Sequence, residues 1–338
     1  MAAPARASQR VPASERFSDR VAVLGVVFAV GIHIDGWAHN HGRVDDSFFT
    51  PWHAVLYGTY ALVVYVVLRR VLDTRAAGAA WRDAVPEGYA LTVIGIGVFF
   101  AGGFADMLWH TVFGVEENLE ALVSPTHLVL ATGAVMMATG PFLAGTRQPV
   151  AGWRQSAPAV LTALAFLSFV GFMTQYMNPL SQLWPVAGWW GRGEVIDELS
   201  QAVGVAGFIW HAATLSAVVL VLRRLGSLPT GAAGALITGS AAFAVTQGDD
   251  YWLVIPAAIG GLLVELAMRR LPGGRFGLRM MAFLVPAIPV TLHMAALPLV
   301  HEIGWPVALW AGVPPMAGMV GVIASLAVYP PGAPTPEA

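Results

Sequence analysis

The chain of 338 residues contains no cysteine and no lysine, and only 11% of its residues are charged. Without cysteine it has no disulfides, no thiolate metal ligands and no cysteine nucleophile. Soluble domains carry about 25% charged residues, so this chain has too little polar surface for a protein surrounded by water. The composition therefore excludes a soluble enzyme, a nucleic-acid-binding protein and a disordered regulator.

Apolar sequence dominates instead, at 57% of the residues, and the mean hydropathy is +0.66. A helix needs about 20 apolar residues to cross a bilayer, and its backbone amides must bond within the helix. Windows of that length give ten candidate spans, at 21–38, 52–68, 89–108, 126–145, 158–177, 202–222, 231–247, 251–268, 280–300 and 305–328. We therefore predict an all-α polytopic membrane protein, with one transmembrane domain at 20–328 between a polar tail at 1–19 and a Pro-rich tail at 329–338.

The arginines predict how the spans are oriented. With ten spans, sixteen of the eighteen arginines fall on one side of the membrane, and only Arg43 and Arg192 fall on the other. Positively charged loops remain cytoplasmic. This distribution predicts a cell-membrane protein with both termini in the cytoplasm and five helical hairpins that point outward.

One polar pattern occurs twice, at the outer ends of the first two predicted hairpins. Each copy contains an Asp, a His four residues later, an acidic pair, and then a hydroxyl residue, Pro, any residue and His. The first copy consists of Asp35, His39, Asp45, Asp46, Thr50, Pro51 and His53, and the second of Asp106, His110, Glu116, Glu117, Ser124, Pro125 and His127. This self-similarity indicates an internal duplication, with repeat units at about 21–70 and 89–146.

Helix geometry predicts that each copy gathers one carboxylate and two imidazoles. An Asp and a His at positions i and i+4 share one helix face. A hydroxyl residue followed by Pro is typical of a helix N-cap and its first residue, which places the second His in the first turn of the returning helix. We therefore predict two metal-binding triads, Asp35 with His39 and His53, and Asp106 with His110 and His127.

Other polar residues on the same predicted side are candidates for additional ligands or outer partners of the triads. They are His33, His41, Asp45, Asp46, Glu116, Glu117, His293 and His301. His211 lies deeper in its span and is interpreted as a core histidine. An alternative interpretation is that the Asp and His residues bond to one another and to the loop backbone, and so seal the hairpin ends. Ionisable groups at the edge of the hydrocarbon are costly to hold there, and they have a function more often than a sealing role.

The Asp, the His four residues later and the following His resemble the copper site in the C subunit of particulate methane and ammonia monooxygenases. The resemblance covers about 20 residues in each hairpin. It implies a copper-dependent oxidoreductase that acts on small apolar molecules, with Asp35, His39 and His53 as one ligand set and Asp106, His110 and His127 as another. This chain has more spans than that subunit, it contains the triad twice, and a periplasmic copper-binding partner or other membrane subunits would have to come from elsewhere.

Three further functions remain compatible with the sequence. Zinc in the same ligands would activate water, as in a membrane hydrolase of lipids or amides, and iron fits the same donor set. A metal or proton transporter is a third class, although the titratable groups crowd one side of the predicted spans. A membrane scaffold whose histidines sense external pH is the fourth.

Overall fold

The computed structural model of the chain is all-helical, and it describes residues 11–43, 48–116, 118–145, 152–186 and 194–332, without the side chains of residues 118 and 194–197. Within these ranges no strand occurs, in agreement with the predicted fold class. The α-helices are α1 (Glu15–Asn40), α2 (Pro51–Ala76), α3 (Trp81–Ala84), α4 (Ala90–Phe113), α5 (Asn118–Val123), α6 (Pro125–Gly145), α7 (Trp153–Met173), α8 (Glu194–Arg224), α9 (Ala232–Ala244), α10 (Val254–Met268), α11 (Gly274–Ala296) and α12 (Val307–Val328).

Nine helices in the described ranges are long and apolar enough to cross a membrane, and they fit a multi-pass membrane protein. They are α1, α2, α4, α6, α7, α8, α11, α12, and α10 together with the preceding 3₁₀ turn (Tyr251–Leu253). Large apolar side chains project outward from them, among them Phe100 (68% exposed), Ile255 (63%) and Ile323 (64%). Exposed side chains of this kind are expected where a helix faces lipid.

The predicted span at 231–247 is shorter than the others. It consists of α9 and a 3₁₀ turn (Val245–Gln247), and together they form an apolar helix below the length of the other nine. At about 1.5 Å per residue this segment rises about 24 Å, against about 30 Å of hydrocarbon. Ten full-length spans were predicted, and the described residues contain nine together with this short helix.

The ends of the first and last helices refine the predicted tails. Ser14 is the N-cap of α1 and accepts a hydrogen bond from the backbone N–H of Phe17, so that α1 begins at Glu15. Residues 15–19 of the predicted polar tail at 1–19 thus form the first turn of this helix. At the other end α12 ends at Val328, next to the predicted Pro-rich tail at 329–338.

Contacts within the chain divide it into two compact units, where we had predicted one transmembrane domain. Unit 1 comprises Met1–Pro149 and Ala157–Phe169, and unit 2 comprises Val150–Ser156 and Val170–Ala338. Helix α7 thus contributes its middle to unit 1 and both of its ends to unit 2. Each unit has its own helix packing.

In unit 1, α1 packs against α2 and α6, and α4 packs against α6 and contacts α2. Helices α4 and α6 approach through glycines: a Cβ on Gly133 would lie 2.6 Å from the backbone nitrogen of Phe99, and one on Gly95 would lie 2.6 Å from that of Met137. Small residues of this kind allow apolar helices to meet backbone to backbone. The close approach fixes the distance between the two helices that carry the second triad.

In unit 2, α11 packs against α12, α8 and α10, and α9 packs against α10. The carboxylate of Glu265 on α10 accepts hydrogen bonds from the backbone N–H groups of Gly231 (2.8 Å) and Gly234 (3.1 Å), at the start of α9. A carboxylate at a helix N-terminus satisfies free amides and complements the helix dipole. Glu265 therefore has a structural role as the cap of a neighbouring helix.

Candidate metal centre

The first triad lies where α1 ends and α2 begins. Asp35 and His39 occupy the last two turns of α1, and the side chain of Thr50 caps α2 by accepting a hydrogen bond from the backbone N–H of His53 (3.1 Å). Asp35 Oδ2 lies 3.9 Å from His39 Nε2, and Asp35 Oδ1 lies 3.6 Å from His53 Nε2. The predicted cap and first-turn placement are confirmed, and they bring the three side chains together.

The second triad has the same construction at the end of α4 and the start of α6. Ser124 precedes Pro125, the first residue of α6, and its hydroxyl accepts a hydrogen bond from the backbone N–H of His127 (3.4 Å). Asp106 Oδ2 lies 3.3 Å from His110 Nε2, and Asp106 Oδ1 lies 3.6 Å from His127 Nε2. The side chains of Asp106 and His110 are only 3% and 6% exposed.

The Nδ1 atoms of His53, His110 and His127 each have a partner on the side of the ring away from the Asp carboxylate. His53 Nδ1 bonds to the backbone carbonyl of Phe48, and His110 Nδ1 lies 3.2 Å from that of Gly114. His127 Nδ1 lies 2.7 Å from the hydroxyl of Ser124. Because a carbonyl can only accept, the Nδ1 atoms of His53 and His110 carry the proton. In the neutral imidazole, Nε2 then turns an unshared electron pair towards the Asp carboxylate.

The separations inside each triad are compatible with ligands that would share one ion. A charge-assisted hydrogen bond between an imidazolium and a carboxylate is about 2.7–2.9 Å long, whereas the four Asp–His separations run from 3.3 to 3.9 Å. Two ligand atoms at about 2.0–2.1 Å from a tetrahedral metal lie about 3.4 Å from each other. In each triad one donor atom from every residue lies within 4.8 Å of the other two. A cation between them would also relieve the repulsion between facing electron pairs.

Two buried carboxylate oxygens in the same region, Asp35 Oδ1 and Glu116 Oε2, have no hydrogen-bond partner among the described residues. Burial of an uncompensated carboxylate is costly, so such atoms are expected beside a positive charge. The second triad differs here, because Thr126 donates a hydrogen bond of 2.7 Å to Asp106 Oδ1. Trp52 occupies the corresponding position of the first copy and has no hydroxyl to offer Asp35.

Both triads belong to unit 1, and they lie next to each other. The ring of Phe48 is 4.8 Å from the ring of His53 and 6.4 Å from that of His110. One imidazole of each triad therefore contacts the same phenyl ring.

The other predicted candidates have different surroundings. Glu116 Oε2 lies 3.5 Å from His110 Nδ1 and 4.0 Å from His127 Nδ1, on the outer side of the second triad. His33 Nδ1 bonds to the carbonyl of Ala29 (2.9 Å), deeper in α1. His41 Nδ1 bonds to the carbonyl of Trp37 (2.7 Å), and the two rings are stacked. Neither His33 nor His41 forms part of a triad.

The remaining candidates fall elsewhere. Asp45, Asp46 and Glu117 lie outside the described residues. His301 and His293 belong to unit 2, where His301 Nε2 is 2.8 Å from Asp250 Oδ1. His293 packs against the ring of Phe208, and both of its buried ring nitrogens are without a hydrogen-bond partner in the described part of the chain.

Sequence reasoning missed three residues that surround the triads, namely Phe48, Tyr57 and Thr126. Tyr57 follows His53 by one helical turn, and its ring contacts those of His53 (6.2 Å) and Phe48 (5.9 Å). The i+4 spacing from His53 was a usable signal for Tyr57. The contacts of Phe48 and Thr126 depend on tertiary packing, which the spacing of residues does not encode.

Comparison with known proteins adds no relative. No protein-family model matches the chain, and no curated protein or solved structure is significantly similar to it. The arrangement of the triads is therefore the basis on which a function can be argued.

Proposed function

We propose that the chain is an integral membrane metalloprotein that binds copper at both triads, and that it acts as a copper-dependent oxidoreductase or as a subunit of one. The observation that carries this proposal is the convergence of one carboxylate and two imidazoles in each triad, whose donor atoms lie within 4.8 Å of one another and suit ligands of one ion. The outward hydrogen bonds of the Nδ1 atoms support it, because histidines that ligate metals usually donate their other N–H in this way.

Copper fits this donor set well. Two imidazole nitrogens and one carboxylate oxygen suit Cu(II), which binds a given set of nitrogen and oxygen ligands more tightly than the other divalent metals of the first row. Three protein ligands leave a coordination position for a small molecule, as in catalytic metal sites. Bound copper would supply one-electron and oxygen chemistry. The likeness to the C subunit of particulate methane and ammonia monooxygenases points to the same chemistry, with small apolar substrates that arrive through the lipid.

The proposal includes an arrangement of the helices in the membrane. Hairpins of α1 with α2 and of α4 with α6 are proposed to be copies of one ancestral unit. If the hairpins are copies, α1 corresponds to α4 and α2 corresponds to α6. The contact between α1 and α6 then corresponds to the contact between α4 and α2, and both contacts occur. Together with the arginine distribution, this favours triads at the extracytoplasmic ends of the hairpins and termini in the cytoplasm.

Metal analysis of the detergent-purified protein tests the proposal. We expect about two copper ions per chain in the wild type and about one in Asp106→Ala and in His110→Ala, because each triad holds one ion. His41→Ala is the matched control, since it removes an imidazole that bonds to Trp37 near the first triad but belongs to neither ligand set. Absence of any metal above background in the folded wild type would contradict the proposal. Zinc in place of copper would favour the membrane hydrolase.

A further inference from the structure

We infer that the two triads form one dinuclear copper centre, in which the two ions are magnetically and electrostatically coupled. The inference rests on the proposed copper binding and goes beyond it, because two copper sites in one chain can equally be remote from each other. Whether the two sites are coupled or remote depends on what lies between the triads. The described residues that contact both ligand sets belong to unit 1.

Aromatic side chains fill the space between the two ligand sets. Phe48 contacts His53 of the first triad and His110 of the second. Tyr57 packs against His53 and Phe48. Among the described residues, ring contacts thus join the two triads.

The negative charges of the two triads lie close to the same aromatic ring. Asp35 lies 3.6 Å from His53 and Asp106 lies 3.3 Å from His110, and both of these imidazoles contact Phe48. Each triad with neutral imidazoles has a charge of −1, so the two carboxylates repel each other in a poorly solvated place. A cation bound in one triad therefore neutralises its own carboxylate and also reduces the repulsion on the carboxylate of the other triad.

Helix packing holds the two triads at a fixed separation. The contacts of α1 with α6 and of α2 with α4 connect the two hairpins directly. At the level of the centre, a Cβ on Gly103 of α4 would lie 2.7 Å from the hydroxyl oxygen of Tyr57 on α2. The aromatic layer is therefore clamped against the backbone of the opposite hairpin. A rigid separation of this kind is what a coupled pair of ions requires.

Electron paramagnetic resonance of the full-length protein, loaded in air with Cu(II), tests the inference. With two equivalents of Cu(II) we expect a spectrum broadened by dipolar coupling, together with a half-field transition. Loading with Cu(II) diluted in an excess of Zn(II) should abolish both features, because most Cu(II) ions then have a diamagnetic neighbour. This comparison uses the wild-type protein and does not depend on the folding of a variant.

Single-triad variants provide a second measurement. His39→Ala and His110→Ala each remove one ligand from one triad, and each should bind one Cu(II) with an unbroadened spectrum. Two bound ions that give the sum of two isolated spectra would overturn the inference and leave the proposed copper binding intact. A single ion per wild-type chain that both variants abolish would also overturn it, in favour of one shared mononuclear site. Failure to bind any Cu(II) would instead refute the proposed function.

Discussion

Each triad contains imidazoles whose outer nitrogens already have partners, and this is the residue-level feature from which its chemistry follows. The carbonyls of Phe48 and Gly114 hold the rings of His53 and His110 by Nδ1. The Nε2 atoms are thereby directed at the Asp carboxylates and are available to a cation. Ligands held in this way lose little conformational entropy when an ion binds.

Glu116→Gln is expected to lower the copper affinity of the second triad by about 10- to 100-fold, as is typical for the outer partners of metal ligands. The carboxylate faces the Nδ1 atoms of His110 and His127, and its negative charge increases the basicity of both imidazoles. Competition titration with a chromophoric chelator measures the effect. Glu120→Gln is the control, because it removes the same charge from an exposed site on α5. Equal affinities for the Glu116 variant and the wild type would show that the carboxylate has no effect on the ligands.

Local rules predicted the triads from the sequence, because their construction is local. The i, i+4 pair of Asp and His and the capped first turn after Thr50 or Ser124 depend only on helix geometry. The neighbourhood of the two triads could not be predicted in this way. It depends on how α1 meets α6 and α2 meets α4, and on Phe48, whose position in a loop is set by packing.

Helix pairs control the spacing of the ligands at the next scale. In the second triad Asp106 and His110 lie on α4 and His127 lies on α6, so the distance between these helices determines the size of the site. Gly95 and Gly133 bring the two backbones together. Hydropathy predicted the apolar helices, whereas the approach of Gly95 and Gly133 depends on how α4 and α6 pack.

Gly133→Ala is expected to destabilise the protein by about 1–3 kcal/mol, the usual cost of an overpacked contact. The new Cβ would meet the backbone of Phe99, which cannot move aside as a flexible side chain can. We expect a lower midpoint of thermal unfolding in detergent and weaker copper binding at the second triad, with the first triad less affected.

Gly97→Ala is the matched control, because Gly97 lies on α4 with no atom within 4 Å of the added Cβ. It should leave the unfolding midpoint unchanged or raise it, since Ala favours the helix by up to about 1 kcal/mol. Equal effects of the two substitutions would contradict a role for the close contact between α4 and α6 at Gly133.

At the scale of the whole molecule, the number of crossings decides which face of the membrane the triads occupy. The arginine distribution gives both termini on one side only if the number of crossings is even. Nine helices in the described ranges are long enough to cross, and α9 with its 3₁₀ turn is shorter. Hydropathy windows count this segment as a span because they register apolar composition and do not register where the helix ends.

We expect the short helix to cross the membrane, with Thr230 before it in the cytoplasm and Asp249 after it outside. Because the chain has no native cysteine, Thr230→Cys and Asp249→Cys each introduce a single thiol, at positions that are exposed. A membrane-impermeant maleimide applied to intact cells should label the Asp249 variant at once and the Thr230 variant only after permeabilisation. The Tyr176→Cys and Ala79→Cys variants, which both precede this segment in the chain, mark the predicted outer and inner sides as references. Labelling of the Thr230→Cys and Asp249→Cys variants from the same side would mean that the segment is re-entrant. The chain would then cross the membrane nine times, and its two termini would lie on opposite faces.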